Sequence, residues 1–387
     1  MRTPLAWKNL TADWRRLMLG AAGVGFAAVL MFMQNGFRFA LLDSPVQFLH
    51  VLQTDLIALS AARYSLPSEQ TFDRSLLERA ASDPDVVQIT PMYIERFSSQ
   101  IRVAGESRRA IRVIAVPLRH GLFKDPEVEQ FFDLLRGPGT AIVDRSSRSE
   151  YKLALDDPEQ LRQQSVELLN QRVRLVGTFH LGTDFANDGT LIMSQENFAN
   201  YFPFRGNGQP LAQPDLGLIQ IRQGADPQAV AQRLTELHAT AWDVMPTEAI
   251  IEREINFWSR QTPVGKIFTV GALMGFAVGV IICYQILFTS IHDSMPEFAT
   301  LKAMGYPNRF FLGLVVRQSI YLSLIGFIPA VFISWGLFLG LQAAVGLPML
   351  LTPWRILIVL VLTVTMCLVS GLLALCKLLH ADPASLF

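Results

Sequence analysis

The sequence predicts an α-helical membrane protein with four transmembrane helices and a large α+β extracytoplasmic domain inserted between spans 1 and 2. Of its 387 residues, 51% are hydrophobic and only 17% charged, with a mean hydropathy of +0.31. That is too apolar for an ordinary soluble protein. The excess sits in one block near the N-terminus and three near the C-terminus. The polar stretch between them mixes β-rich runs with helical patterns. Lys+Arg and Asp+Glu both number 33, so no net field argues for nucleic acid or an acidic partner.

Arg2, Lys8, Arg15 and Arg16 precede an apolar run from Leu17 to Met33. A basic region before an apolar segment is also the signal-peptide pattern. This run exceeds the usual length of such a segment, and Gln34-Asn-Gly-Phe-Arg38 is not a small-x-small cleavage site. An uncleaved span fits better. Trp7 and Trp14 suit an interfacial belt beside it. The expected segments are a cytoplasmic N-terminal piece at 1–16, span 1 at 17–42, the α+β domain at 43–247 and a stalk helix at 248–266. Span 2 follows at 267–290, a cytoplasmic loop at 291–309, span 3 at 310–341, a short outer loop at 342–354, span 4 at 355–377 and a cytoplasmic tail at 378–387.

Within the polar stretch, Val86–Ile94, Ala110–Val116, Thr140–Val143, Val173–Phe179 and Leu216–Ile221 have strand length and composition. Phe72–Ala81, Val128–Leu135 and Pro227–His238 carry helical spacing, and a short strand ends near Val244. Asn187-Asp-Gly-Thr190 is a hairpin turn signal between Phe185 and Leu191. Glu248–Arg260 reads as a polar helix leading towards span 2. The apolar run Ile267–Phe288 gives ~33 Å of helix, enough for a ~30 Å hydrocarbon core. Ser319–Leu341, with a tolerated Pro329, and Ile356–Cys376 follow. Gly271, Gly275 and Gly279 line one face of span 2 and predict close approach of another helix, within the chain or across a dimer.

Four spans put both termini on one side, together with Arg2, Lys8, Arg15, Arg16, Lys302, Arg309 and Lys377. The loop Gln342–Trp354 has no Lys or Arg. The positive-inside rule therefore makes the termini cytoplasmic and the large domain extracytoplasmic.

The cytoplasmic loop holds a short helix over Ser294–Gly305. Ser294 and Glu297 have capping-box spacing, Pro296 falls in the first turn, Gly305 suits a left-handed end and Pro307 stops continuation. Phe298, Leu301 and the stem of Lys302 share a face, with Met304 nearby. About ten residues are marginal alone in water, so this helix needs a surface to dock on.

Catalytic patterns are absent. There is no G-x-x-x-x-G-K-[ST] loop, no H-E-x-x-H and no G-x-S-x-G. The six histidines are scattered, and the cysteines Cys283, Cys367 and Cys376 all lie in apolar blocks. No metal or cofactor site is expected in this chain. Asp184, Asn187 and Asp188 miss the spacing of a calcium loop and read as a turn. Arg317 and Gln318 fall at the cytoplasmic edge of span 3, and no polar residues line up through the spans.

Thr3-Pro-Leu-Ala-Trp-Lys-Asn-Leu-Thr11, Met31-Phe-Met-Gln-Asn-Gly-Phe37, Tyr284-Gln-Ile-Leu287, Glu297-Phe-Ala-Thr-Leu-Lys-Ala-Met-Gly-Tyr306 and Ala381-Asp-Pro-Ala384 resemble the DevC permeases of DevBCA-type exporters. Those permeases belong to the FtsX/MacB-type ABC permeases, whose layout of one span, a large outer domain and three spans is the one predicted here. Gly177-Thr-Phe-His-Leu-Gly182 and Asp188-Gly189 extend the likeness into the outer domain. Phe288-Thr-Ser-Ile-His-Asp293, Phe298 where the family usually has tyrosine, and the ending Pro383-Ala-Ser-Leu-Phe387 depart from it. The resemblance implies a MacB-like periplasmic domain, location in a bacterial inner membrane and a permease homodimer. It further implies a separate DevA-like ABC ATPase that binds ATP and Mg, a DevB-like membrane-fusion adaptor, a TolC-like outer-membrane channel, and expulsion of a lipid-like or other hydrophobic cargo.

The short helix then becomes the ATPase-coupling helix, with Phe298, Leu301 and Met304 as anchors, Ser294, Glu297 and Lys302 in cap and rim roles, and Gly305 at its end; residue physics alone fits equally a helix that lies at the membrane interface and connects spans 2 and 3. Two other functions fit the same layout. One is a mechanotransmitter of the FtsX or lipoprotein-release kind, and the other is a membrane receptor. A topology reporter fused near Gly206 should be active only outside the cytoplasm; activity confined to the cytoplasm would overturn the orientation.

Overall fold

The computed structural model describes residues 7, 10–11, 13–124, 126–182, 184, 187–345, 349 and 351–379; at 43, 264, 298–299, 308, 343–345 and 377–379 only the backbone is described. The chain divides into two compact units. A sheet unit comprises Ala40–Thr262 with Gln342–Pro348, and a helical unit comprises Met1–Phe39, Pro263–Leu341 and Met349–Phe387.

In chain order the first elements are α1 (Trp14–Asp43), α2 (Gln47–His50), β1 (Leu56–Ser60), α3 (Ser75–Ala80), β2 (Val86–Glu95), β3 (Gln100–Val103), β4 (Arg109–Ala110) and β5 (Arg112–Val116). Then come α4 (Pro126–Glu129), α5 (Phe132–Leu135), β6 (Thr140–Asp144), α6 (Pro158–Gln163), β7 (Val166–Leu168), β8 (Gln171–Phe179), β9 (Thr190–Ser194) and α7 (Gln195–Tyr201). The sheet unit closes with β10 (Leu216–Ile221), α8 (Pro227–Glu236), β11 (Trp242–Pro246) and α9 (Thr247–Asn256). The helical unit adds α10 (Pro263–Asp293), α11 (Met295–Ala303), α12 (Asn308–Val345) and α13 (Pro353–Leu379).

The strands form one mixed sheet in the order β11-β1-β10-β2-β5-β9-β6-β8-β7-β3-β4. β5 with β9 and β6 with β8 run parallel, and the other neighbours run antiparallel. β1, β5, β6 and β9 are buried along their whole length, as apolar runs covered on both faces require. In β1 the period-2 alternation is visible: Leu56 and Ala58 join one apolar cluster, Ile57 and Leu59 another. Local chemistry starts the helices. Asp157 accepts from Glu159 N and Gln160 N ahead of α6, and Asp226 accepts from Gln228 N ahead of α8, each with proline in the first turn.

Several expectations are corrected. Asn187–Thr190 does not turn a hairpin, because β9 pairs with β5 and β6, whereas β8 pairs with β6 and β7. A tertiary ion pair captures the turn residues instead: Asp184 accepts from Arg112 Nη1 at 2.5 Å and from Asn187 Nδ2 at 2.7 and 2.9 Å. Phe185 lies outside the described residues. The helix expected from Phe72 starts at Ser75, since Phe72 N and Arg74 N donate to Pro214 O and Ala212 O. Val128–Leu135 breaks into α4 and α5.

The helix expected over Glu248–Arg260 is α-helical only to Asn256. A π turn follows over Phe257–Gln261, and Thr262 is extended. Nor is this segment simply polar. Ile250 and Glu254 are buried, and Glu254 accepts from Leu66 N at 2.9 Å and from Trp258 Nε1 at 2.8 Å.

Among the described residues, four helices are long and apolar enough to cross a membrane. The third, α12, is longer than the expected span, and Gln318 is buried three turns inside it. Ser319, Ser323, Ser334, Thr363 and Ser370 are also buried, so the helical unit holds more interior polarity than expected. Ser370 uses its hydroxyl to join α13 to Val280 O of α10 at 2.8 Å.

Burial raises the Glu254 pKa, opposed by its bonds from Leu66 and Trp258 and by the charges of Arg253 and Arg63. With the folded value above the unfolded one, its contribution to stability is full below the ordinary carboxylate range and is lost as pH rises through the folded value. Glu254→Ala leaves two donors without their acceptor and should cost about 2 kcal/mol. It should also flatten the corresponding pH slope, both measurable by thermal unfolding of the full chain in detergent.

Candidate functional site

The loop between α10 and α12 holds the helix singled out in the sequence. α11 runs from Met295 to Ala303 with Pro296 in its first turn. Its C-terminus closes as a Schellman motif: Tyr306 N donates to Leu301 O at 3.2 Å, Gly305 N to Lys302 O at 3.0 Å, and Gly305 takes φ +92°. Its N-terminus differs from the expected capping box. Ser294 has helical dihedrals and makes no side-chain cap; its hydroxyl donates back to Ser290 O at 3.0 Å. Almost no break separates α10 from α11, so Ser294 continues the preceding turn and has no orphan amide to cap.

An ion pair anchors this junction within the helical unit. Arg16 Nη1 of α1 lies 2.5 Å from Asp293 Oδ2 at the end of α10. Asp13 caps α1 by accepting from Arg15 N and Arg16 N at 3.0 and 3.2 Å. Beyond α11, Tyr306 packs on Phe310 with ring centroids 4.8 Å apart and the rings tilted by 50°. Glu297 and Lys302 are exposed and Leu301 is half-buried. Met304 is 63% exposed and Tyr306 43%, so two large apolar side chains cluster in the open at the C-terminal end of α11. The Phe298 side chain lies outside the described residues.

The three glycines of α10 face neighbours in the same chain. A Cβ on Gly271 would meet Gln34 at 2.8 Å, one on Gly279 would collide with Met366 and meet Ala27 Cβ at 2.9 Å, and one on Gly275 would find Leu30 only at 3.9 Å. The stripe therefore packs against α1, with α13 beside Gly279.

Residues 269–383 match the FtsX-like permease C-terminal family. The FtsX-like segment spans most of α10, all of α11 and α12, and α13. No curated protein sequence matches the chain. Among solved structures, the periplasmic region of MacB from Actinobacillus actinomycetemcomitans is similar at 12% identity and a TM-score of 0.36, covering 52% of this chain and 92% of that one. The extracellular domain of the noncanonic ABC-type transporter YknZ from Gram-positive bacteria gives 13% identity, a TM-score of 0.33, and coverage of 50% and 98%.

The sheet unit contains a second feature that the sequence does not disclose. An open cleft of about 820 Å³ is bordered by Tyr64, Glu69, Arg96, Phe97, Phe257 and Trp258, among others. These residues come from the β1–α3 loop, the end of β2 and the π turn, and no local pattern joins them. Burial lowers the Arg96 pKa and raises that of Glu69, the latter with help from Glu95. No group of three or more His, Cys, Asp or Glu side chains able to hold a metal exists among the described residues.

Gly279→Ala should destabilise the helical unit by about 1–3 kcal/mol through overpacking, whereas Gly275→Ala should be nearly neutral. Thermal unfolding of the two variants in the same detergent checks the contrast.

Proposed function

We propose that this chain is the transmembrane permease subunit of an ATP-driven export complex of the FtsX/MacB type, closest in character to the DevC permeases. The observation that carries the reading is the FtsX-like match over 269–383 together with the exposed α11 inside that segment. α11 is too short to hold itself by backbone bonds alone. It is fixed at one end by the Schellman turn and beside the other by Arg16–Asp293. It presents Met304 and Tyr306 where a few apolar anchors supply most of an interface's energy.

In this reading a separate ABC ATPase, carrying ATP and Mg, receives α11. Both termini and α11 are cytoplasmic, and the sheet unit is periplasmic. The permease works as a homodimer. Each stroke passes through α10 and the π turn to the sheet unit, which acts with a membrane-fusion adaptor and a TolC-like channel to expel a lipid-like or other hydrophobic cargo. The lack of a phosphate-binding loop in the sequence fits hydrolysis in the partner.

The mechanical demand on the chain is a rigid lever. Gly271 and Gly279 meet that demand by letting α10 lie close against α1 and, at Gly279, α13. The Arg16–Asp293 pair adds a fixed point where α10 passes into α11.

Met304→Asp places a charge where an apolar anchor is needed. With the partner ATPase reconstituted, it should reduce permease-dependent stimulation of hydrolysis about tenfold or more, as loss of one interface anchor does. The variant should unfold at the wild-type temperature because Met304 is exposed. Unchanged stimulation would remove α11 from the coupling route.

A further inference from the structure

The cleft of the sheet unit has the make-up of a ligand site. Its volume of about 820 Å³ falls within the range of small-molecule pockets. Its lining is rich in aromatic side chains. Tyr64 and Phe257 pack at 5.7 Å between ring centroids, Phe257 and Trp258 at 5.7 Å edge to face, and Phe97, which also lines the cleft, is 68% exposed. Large aromatic side chains left in the open around a concavity are an apolar surface without its partner.

The polar groups of the cleft are unequal. Arg112 is fully engaged by Asp184 and by Thr190 Oγ1. Asp188 is paired with Arg148 at 3.1 Å. Arg96 is different. Nη2 donates to Pro67 O, the guanidinium carbon sits 5.1 Å from the Phe97 ring centroid, and no carboxylate among the described residues lies within 4.0 Å of it. Its remaining N–H groups stay available to an oxyanion. Glu69 also borders the cleft and opposes an anion there. Arg96, Arg112 and Trp258 border in addition a narrow crevice of about 30 Å³ lined by Leu41, Phe48 and Ile114.

We infer that this cleft binds a single-chain amphiphile, its anionic phosphate or carboxylate head on Arg96 and its apolar chain against Tyr64, Phe97, Phe257 and Trp258. A free anion would use the arginine and leave the aromatic side chains bare, and a neutral apolar molecule would leave the free N–H groups of Arg96 without an acceptor, although Asp184 and Glu69 lie near enough to act on its charge. A guanidinium edge beside apolar walls suits a ligand with both parts. Phe257 and Trp258 belong to the π turn, and such turns mark functional sites in other helices. Part of the cleft's lining therefore lies on the segment that leads into α10, and part on the turn that follows β2. As a cargo site the cleft rests on the export reading above; as a binding site it stands independently.

The test uses the full chain in phosphatidylcholine nanodiscs, titrated with a diazirine-bearing oleoyl lysophosphatidate, with adducts located by peptide mass spectrometry. Saturable labelling is expected on peptides containing Tyr64–Gln70, Arg96–Phe97 and Phe257–Thr262. Unlabelled lysophosphatidate and oleate should both compete, with the stronger competitor identifying the preferred head. Lysophosphatidylcholine should compete poorly and inorganic phosphate not at all at equal concentration.

Arg96→Gln should weaken binding about tenfold, and Phe97→Ala, an exposed position, should weaken it without affecting the fold. Glu69→Gln should tighten it about two- to fivefold by removing a like charge. Labelling absent from these peptides, or unchanged in both Arg96→Gln and Phe97→Ala, would overturn the site. Equal competition by lysophosphatidylcholine would overturn the headgroup assignment, and by phosphate the amphiphile. ATPase stimulation measured on the same variants separates this result from the export reading. Retained stimulation with lost binding removes only the cleft.

Discussion

The sheet unit is organised around Arg63. Its side chain is almost wholly buried, yet it does not rely on one carboxylate. Nη1 donates to Asp215 O at 2.7 Å and Gln70 O at 3.2 Å, and Nη2 donates to Leu66 O at 2.8 Å. Those bonds fix the irregular segment between β1 and α3 against the residue that enters β10. Asp215 in turn accepts from Ile94 N at 2.8 Å and Arg205 Nη2 at 2.9 Å. From the other side, Glu254 grips Leu66 N and Trp258 Nε1. Burial lowers the Arg63 pKa, with the Asp215 charge opposing. Both Nη atoms are satisfied while the buried Nε has no partner, so the network depends on these few bonds, and breaking one partner leaves several groups stranded. The cleft, the π turn and the loop at 61–70 all depend on this network holding one arrangement.

The regular parts of this fold were legible because they are local. Strands such as Leu216–Ile221 and Val86–Ile94 announce themselves by β-rich composition, and α8 by its Asp-Pro start; α6 has the same start but is too short to show helical spacing. The four apolar helices follow from length and hydropathy alone. What failed was non-local. β1, β3, β7 and β9 are short and take their identity from neighbours distant in sequence. Asn187–Thr190 has hairpin chemistry, yet Asn187 donates to Asp184 and Thr190 accepts from Arg112, 78 residues away. At Ser294 the capping pattern was genuine as spacing but idle as chemistry, since α10 runs almost directly into α11. The cleft was illegible for a similar reason: its walls come from three separate segments, and only folding brings Arg96 beside Trp258.

The helical unit shows the complementary logic. In an apolar environment helices gain little from hydrophobic association, so close backbone approach and buried hydroxyls take its place. Gly279 against Ala27 and the Ser370–Val280 bond are both of this kind. Cys283 and Cys367 meet across α10 and α13 at 3.7 Å between sulfurs as free thiols, a further contact between small side chains. Such contacts tie α10 to α1 and α13 at short range.

The central claim is that work entering at α11 reaches the sheet unit through the π turn. The most direct measurement is the distance between spin labels at Arg260 and Gln100, both exposed, in a background with Cys283, Cys367 and Cys376 replaced. The full complex would be compared without nucleotide and trapped with ATP by electron double resonance. The account predicts two distinct distance populations, one for each nucleotide state, collapsing to one in Met304→Asp. A single distribution unmoved by nucleotide in an active complex would contradict it.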